Sequence, residues 1–457
     1  MVTSYKIQIK MKRIFIFLMC FSNLSCLVAQ DIQRKIDTLV TAYVNLNKFS
    51  GTVLVGYHGN VIIKKGYGFR DAENGELNNT NTVFQIGSIT KEFTSAVILK
   101  LVEQKKLFLS DKLNRFYPDF PKGDSITIES LLTHTAGIHD STRRQGFVSI
   151  AVMPANEQGM LDQLKCKPPE VSPDKTFIYS NSGYALLGYI IEKVTHKPYE
   201  QVVREMIFGP LNMRNSGFDF TGLKNINKAR GYMAFSALEQ KECPAIDSSE
   251  LFAAGAMYST VEDLYKWHQG LQSGLIMSKT MLNRAYIPFK GKYGYGWRID
   301  SVYNKMTVGH SGGMLGFRAK MLRIPEDDLF IMLLSNRSDD PYLEAISRSI
   351  LAIIYQQPYV LPEQPVRLSD KALRAYAGIY EFSHDSWVDI IFVDGHLIGH
   401  SPKKTLELFP RKQDLFYIME REGEEGNIGF GRDEKGEVNE IYLIKGDNNR
   451  SVGRKIR

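Results

Sequence analysis

The sequence predicts an α+β fold: one antiparallel sheet flanked by helices, a helical insertion within it, and a small antiparallel β domain at the C-terminus. Three observations carry this. "GTVLVGY" and "VIIKKGYGF" flank the turn residues "HGN", a hairpin near the start of the chain. "FRAKMLRI" and "LFIMLLSN" flank "PEDD" and read as strands within Lys305 to Ser335, whereas the residues between the two pairs show mainly helical spacing and loops. Strands at both ends of a helical stretch close most simply into one sheet. After "PYVLPEQPVR", which holds three prolines, short apolar runs ("WVDIIFV", "LFYIME", "EIYLIK") alternate with turn signals ("DGH", "DEKGE"), the pattern of a separate all-β unit.

Taken in order, the 457 residues divide into a leader over 1–30, a main domain over 31–357, a linker over 358–367 and a β domain over 368–457. The leader combines Lys12 and Arg13, an apolar run from Ile14 to Phe21, and small or polar residues up to Ala29. That is the build of a signal peptide and predicts an exported protein, periplasmic or secreted. Asn23-Leu24-Ser25 is a poor lipobox, so cleavage after Ala29 is preferred to lipid attachment at Cys26, and membrane anchoring is the weaker expectation. The formal charge of +7 includes Lys6, Lys10, Lys12 and Arg13 and falls to +3 without the leader, which implies no nucleic-acid partner. Cys166 and Cys243 then remain, in a compartment that permits a disulfide without requiring one. No metal-ligand spacing stands out, so neither metal nor cofactor is expected, and His134 and His139 in "THTAGIHD" read as hydrogen-bonding loop residues. The spacing of Ile32, Ile36, Leu39, Val40 and Tyr43 predicts an opening amphipathic helix, and "PYLEAISRSILAIIYQQ" a closing helix packed on the sheet.

Three short stretches carry the chemistry. "TVGHSGGMLG", Thr307 to Gly316, satisfies G-x-S-x-G, the pattern of a nucleophile elbow with Ser311 as nucleophile. An elbow runs strand, turn, helix; here more strand follows, and the later histidines His384, His396 and His400 all lie beyond the linker, so this is the lesser reading. "FQIGSITKEFTSAVILKLVEQ" sets Ser88 and Lys91 three apart at the head of an apolar helix, on one face. A serine hydroxyl is a poor nucleophile near neutral pH, and a lysine shielded from water can lose its proton and accept the serine's. Two further S-x-x-K spacings, Ser172/Lys175 and Ser401/Lys404, contain prolines and look like turns. Tyr179-Ser180-Asn181 precedes another apolar helix: a tyrosine beside a cationic lysine ionises more easily and can act as base or acid, and Asn181 can meet a substrate amide. The plainer reading of the same residues is an aromatic anchor and a helix cap. His310-Ser311-Gly312 then becomes a strand edge lining the same cleft, its glycines admitting a substrate backbone, with the backbone N–H of Gly313 open to a developing oxyanion.

In this order the stretches resemble the serine β-lactamase and penicillin-binding-protein family, in the branch similar to class C β-lactamases, D-alanyl-D-alanine carboxypeptidases, esterases and D-aminopeptidases. S-x-x-K matches Ser88 and Lys91, Y-x-N matches Tyr179 and Asn181, and His310-Ser311-Gly312 stands where the family has K-T-G; "LLTHTAG", "AAGAMYSTVEDLYKW" and "YGYGWRI" add to the likeness, which spans about Asp31 to Gln357. The resemblance implies a β-lactamase/DD-peptidase-like sheet. It also implies acyl transfer: Ser88 attacks a carbonyl, Lys91 and Tyr179 handle its proton, and the N–H groups of Ser88 and Gly313 hold the oxyanion. Asn181, His310, Ser311 and Gly312 would bind substrate, a small molecule or peptide, cell-wall fragments included. With histidine in place of lysine, recognition of a terminal carboxylate is weakened and neutral esters or amides gain. The alternative is a penicillin-binding or peptidoglycan-sensing protein that acylates without turnover.

Overall fold

The computed structural model describes residues 29–144, 146–147, 151–166, 171–233, 241–244, 246–338, 342–383, 386–402, 405–419, 425–445 and 449–456. The expected leader, with Cys26, and the residues His384 and Lys404 lie outside these apart from positions 29 and 30, which open the first helix, α1 (29–45). Next come β1 (Gly51–Tyr57), β2 (Asn60–Tyr67), α2 (Thr90–Glu103), α3 (Asn181–Thr195), α4 (Ser248–Gly255) and α5 (Val261–Gln272). Strands β3 (Arg298–Val302), β4 (Lys305–Met314), β5 (Phe317–Ile324) and β6 (Leu329–Ser335) follow, then α6 (Leu343–Ile354). The first and last strands do meet in one sheet, ordered β2-β1-β6-β5-β4-β3 and antiparallel throughout.

Side chains alternate across this sheet, and each face finds its own cover. Val53 and Val55 of β1 and Leu329, Ile331 and Leu333 of β6 pack under Ile36, Leu39 and Val40 of α1 and Ile346 and Ile350 of α6. Leu54, Phe330, Met332 and Leu334 point the other way, into the core of the helical insertion. Each fully buried aliphatic there is worth roughly 1.5–3 kcal/mol, which makes the centre of the sheet a stiff platform for whatever sits at its ends. Helix α2 is tied to that platform by charge as well: Arg323 of β5 donates to Glu92 Oε2 at 2.8 Å, and Trp267 Nε1 donates to the same oxygen at 3.0 Å, all three side chains buried.

The C-terminal unit differs from an open sheet. Strands β7 (Gly378–Ser383), β8 (Ser386–Val393), β9 (His396–His400), β10 (Thr405–Lys412), β11 (Leu415–Met419), β12 (Glu425–Arg432), β13 (Val438–Lys445) and β14 (Asn449–Lys455) form a closed antiparallel barrel. Closure comes from β7 pairing with β14, Tyr380 opposite Lys455, which leaves no free edge. Tyr376, Tyr380, Leu397, Leu408, Phe416 and Phe430 fill the interior, so this barrel is packed rather than hollow. Its outer face is apolar where it meets the main domain: Phe409, Tyr417 and Met419 join the core that holds Tyr43 and Tyr342. The proline-rich linker is strapped down, with Glu363 receiving Arg411 through both oxygens (2.9 and 2.6 Å) and Val366 N–H donating to the Pro410 carbonyl at 2.8 Å. Cys166 and Cys243 are two thiols and not a disulfide.

Candidate active site

Ser88 sits in a single 3-10 turn, Gly87–Ile89, that runs straight into α2, so Lys91 falls one turn beyond it on the same face. The turn is stapled in place. Thr90 Oγ1 donates to the Gly87 carbonyl at 2.7 Å and accepts from Met257 N–H at 3.2 Å, and Ile86 N–H donates to the Met257 carbonyl at 2.9 Å. Gly87 has φ +52 and, were it to carry a Cβ, that atom would stand 2.7 Å from the Gly313 nitrogen. Only glycine lets the serine turn and the β4 strand come this close, and the same approach brings the Ser88 and Gly313 backbone together.

Three acceptors surround Lys91 Nζ: Ala254 carbonyl at 2.7 Å, Asn181 Oδ1 at 2.8 Å and Ser88 Oγ at 3.0 Å. The first two can take two amine hydrogens, which aims the remaining position of a neutral amine, its lone pair, at the serine. Lys91 is fully buried, and burial pushes its ammonium down to about 7; nearby Asp140 raises it and Arg298 lowers it. Tyr179 Oη donates to Ser88 Oγ at 2.9 Å, and Lys91 Nζ lies 4.9 Å from the Tyr179 ring centroid. Here the sequence expectation is corrected. Burial pushes the Tyr179 phenol above its ordinary value, outweighing the hydrogen bond with Ser88 and the charge of Arg298, so it keeps its proton near neutral pH and is placed as a donor. Lys91 is the group that can accept.

Asn181 Nδ2 donates to Asp140 Oδ2 at 3.2 Å and to Thr142 Oγ1 at 3.0 Å, so both ends of this amide are engaged within the protein: it orients Lys91 as well as facing the cleft. Ser180 is the helix cap that the plainer reading gave it, its Oγ accepting Gly183 N–H at 3.4 Å. Its own N–H donates to Nδ1 of His134, a buried ring wedged against Tyr179 and Tyr293. His134 is the hydrogen-bonding loop residue that the sequence suggested, and it also forms the floor under Tyr179.

His310 turns away from the cleft. It is 3 % exposed; Nδ1–H donates to the Ser311 carbonyl at 2.6 Å, and Nε2 accepts from the Tyr293 hydroxyl at 3.0 Å. Burial drives its pKa down to about 3, with Lys91 adding to the fall, so the ring is neutral near neutral pH. Gly312 is also corrected: a Cβ there would stand 1.9 Å from the Ile86 carbonyl oxygen, so the residue admits the serine turn and not a substrate backbone. Ser311 and Gly313 lie on the opposite, exposed side of β4. Ser311 stands inside a ten-residue strand with His310 engaged elsewhere, which removes the elbow.

Three contributors escaped sequence reasoning. Asp140, from "GIHD", is 3 % exposed and braces Asn181. Ala254, inside "AAGAMYST", contributes a backbone carbonyl, which leaves no side-chain trace. Arg298, in "YGYGWRI", pairs across the sheet with Gly309, and alternation puts its exposed side chain on the face of Ser311 and Gly313, the guanidinium 5.9 Å from the Tyr179 ring centroid. The cation that a K-T-G lysine would supply is present after all, on the neighbouring strand.

Because acylation needs Lys91 unprotonated, kcat/KM should rise with pH through about 7 and then hold until Tyr179 loses its proton well above. Asp140 raises the Lys91 value, so Asp140→Asn should move this limb to lower pH; a pH–rate profile of the two proteins checks it, and an unmoved limb would mean that Lys91 is not the titrating group.

A family model described as Beta-lactamase matches residues 36–353. Penicillin-binding protein 4* of Bacillus subtilis is 27% identical over 85% of this chain and 92% of its own. Among solved structures, the octameric penicillin-binding protein homologue from Pyrococcus abyssi aligns with a TM-score of 0.64 and 26% identity over 92% of this chain and 99% of its own. The D-amino acid amidase from Ochrobactrum anthropi SV3 aligns at 0.63 and 25%, over 71% and 99%. The matched span runs from the opening helix into α6 and takes in the serine turn, the Tyr179 loop and the β4 edge. The chain belongs to the Beta-lactamase family.

Proposed function

We propose that this protein is an exported serine hydrolase that cleaves amides or esters of D-amino-acid-containing peptides through an acyl-Ser88 intermediate. One observation carries the reading: a buried amine of lowered basicity 3.0 Å from a serine oxygen that also accepts a phenol hydrogen bond at 2.9 Å. Lys91 takes the Ser88 proton as Oγ bonds to the carbonyl carbon. The oxyanion is met by the N–H groups of Ser88 and Gly313, an interaction worth about 10²- to 10³-fold in rate per donor. Tyr179 then passes its proton to the departing nitrogen or oxygen and is refilled from Lys91. Water repeats the sequence in reverse on the acyl-enzyme. Arg298 favours substrates with a carboxylate on the leaving side, which shifts the preference from neutral esters toward peptides with a free C-terminus.

Fluorophosphonate labelling of the full chain followed by peptide mass spectrometry should place the adduct on Ser88. A panel of D-terminal peptides should then show faster release for free acids than for the matching amides, a preference that Arg298→Gln removes. An adduct on Ser311 would overturn the assignment. Stoichiometric release followed by no turnover would favour the penicillin-binding alternative.

A further inference from the structure

The cleft does not end at the catalytic residues. Ser88, Asn181 and Gly313 line one end of a cavity of about 1010 Å³, and Ile398, Leu406 and Glu407 of the C-terminal barrel line the other. That volume is at the upper end of what a drug-sized ligand fills, and far more than a single amino-acid amide needs. The direction of the cavity is set by the sheet. Gly313, Arg318, Ser335 and Gly51 stand opposite one another in a row across β4, β5, β6 and β1. The cavity runs along this row away from β3, reaching Arg337 just after β6 and Lys48 just before β1. Arg298, on β3, flanks β4 on the side opposite β5, whereas the row toward Lys48 and the barrel residues starts on the β5 side.

Glu407 is out of character for its position. Leu408, its neighbour in β10, fills the barrel interior, so Glu407 points outward with Ile398, its cross-strand partner, onto the docked face. It is 7 % exposed, a carboxylate held at the cavity wall. Its hydrogen-bond and ion-pair partner among the described residues is His396, whose Nδ1 meets Oε1 at 2.8 Å, which leaves Oε2 for a ligand. Oε2 is thus the oxygen open to a donor that enters the cavity.

We infer that the barrel is a substrate-recognition wall, and that Glu407 takes the free amino terminus of an extended peptide whose carboxylate end lies toward Arg298. The two charged ends of the substrate would then be read on opposite sides of Ser88, by different domains. This rests on the peptide-hydrolase reading for direction, but it is testable by binding alone.

The test is calorimetric titration of the full-length Ser88→Ala protein with a series of peptides, dipeptide to hexapeptide, each with a D-residue at the C-terminus and each in free-amine and N-acetylated form. From the length that reaches the barrel, the free amine should bind about tenfold tighter, as a hydrogen bond to a charged group would give; the dipeptides should show no preference. Adding Glu407→Gln should abolish the preference and leave acetylated peptides unchanged, whereas His396→Gln, which keeps the carboxylate, should retain it. Equal binding of the two forms at every length would overturn the inference, as would a Glu407→Gln loss shared by both forms, which a structural role alone would produce. If Ser88 takes no fluorophosphonate, the hydrolase reading fails by itself, and the binding comparison still decides this one.

Discussion

Lys91→Met lowers kcat/KM by about 10²- to 10⁴-fold or more, the range for a lost general base, while leaving the cleft intact enough to bind substrate. Methionine matches the lysine stem in length, so packing is kept and only the amine is removed. The same variant has a signature in stability. Lys91 in the folded protein holds its proton only below about 7, whereas in the unfolded chain it does so up to the ordinary value of 10.5. Between these values the unfolded chain binds more protons, so the wild-type fold gains stability as pH rises, by up to about 1.4 kcal/mol for each unit inside the window. Below about 7 both states carry the proton and the penalty is complete and constant. Lys91→Met lacks the group and so lacks that slope. Urea denaturation of both proteins at pH 7 and pH 9 therefore separates two ideas that activity alone cannot. If the stability difference between them does not change with pH, Lys91 is not a desolvated amine, and the account of how Ser88 is activated fails even where the variant is inactive.

How much of this was legible beforehand follows from which facts are local. Ser88 and Lys91 could be paired because three residues on a helix fix their relative direction, and Tyr179 and Asn181 because a polar turn before an apolar helix has few conformations. The sheet was legible because strand patterns bracketed the helices. What sequence could not give was dehydration. It read a cation beside Tyr179 and inferred easier ionisation, but the cost of burying a phenolate outweighs that neighbour. The same term silences His310. Its orientation, by contrast, was readable: alternation along β4 puts His310 and Gly312 on one face and Ser311 and Gly313 on the other, so all four could not serve the cleft. Arg298 needed the register of β3 on β4, and barrel closure needed the pairing of strands about seventy residues apart, neither of which a local pattern encodes.

Gly312→Ala is the second large effect, and it acts by geometry alone. No charge, donor or acceptor is lost. The new methyl would start 1.9 Å from the Ile86 carbonyl oxygen, and that oxygen belongs to the residue that begins the serine turn. Backbone faces backbone, so nothing can swing aside; either β4 or the turn must move by more than an ångström. Overpacking of this kind costs about 1–3 kcal/mol in stability. Displacement by about 1 Å at a reacting group costs on the order of 10²-fold in rate, and here it would also pull the Gly313 N–H away from Ser88. Gly313→Ala is the control, because the nearest atom to its added methyl is Arg318 Nη1 at 3.2 Å, the far end of a flexible side chain, and the backbone N–H is kept. Thermal melting and kcat/KM should therefore fall together in Gly312→Ala and change far less in Gly313→Ala. Were both alanine variants equally mild, the close seat of strand against turn would not be what holds the oxyanion donors in place, and the requirement for glycine would have to be sought in the substrate.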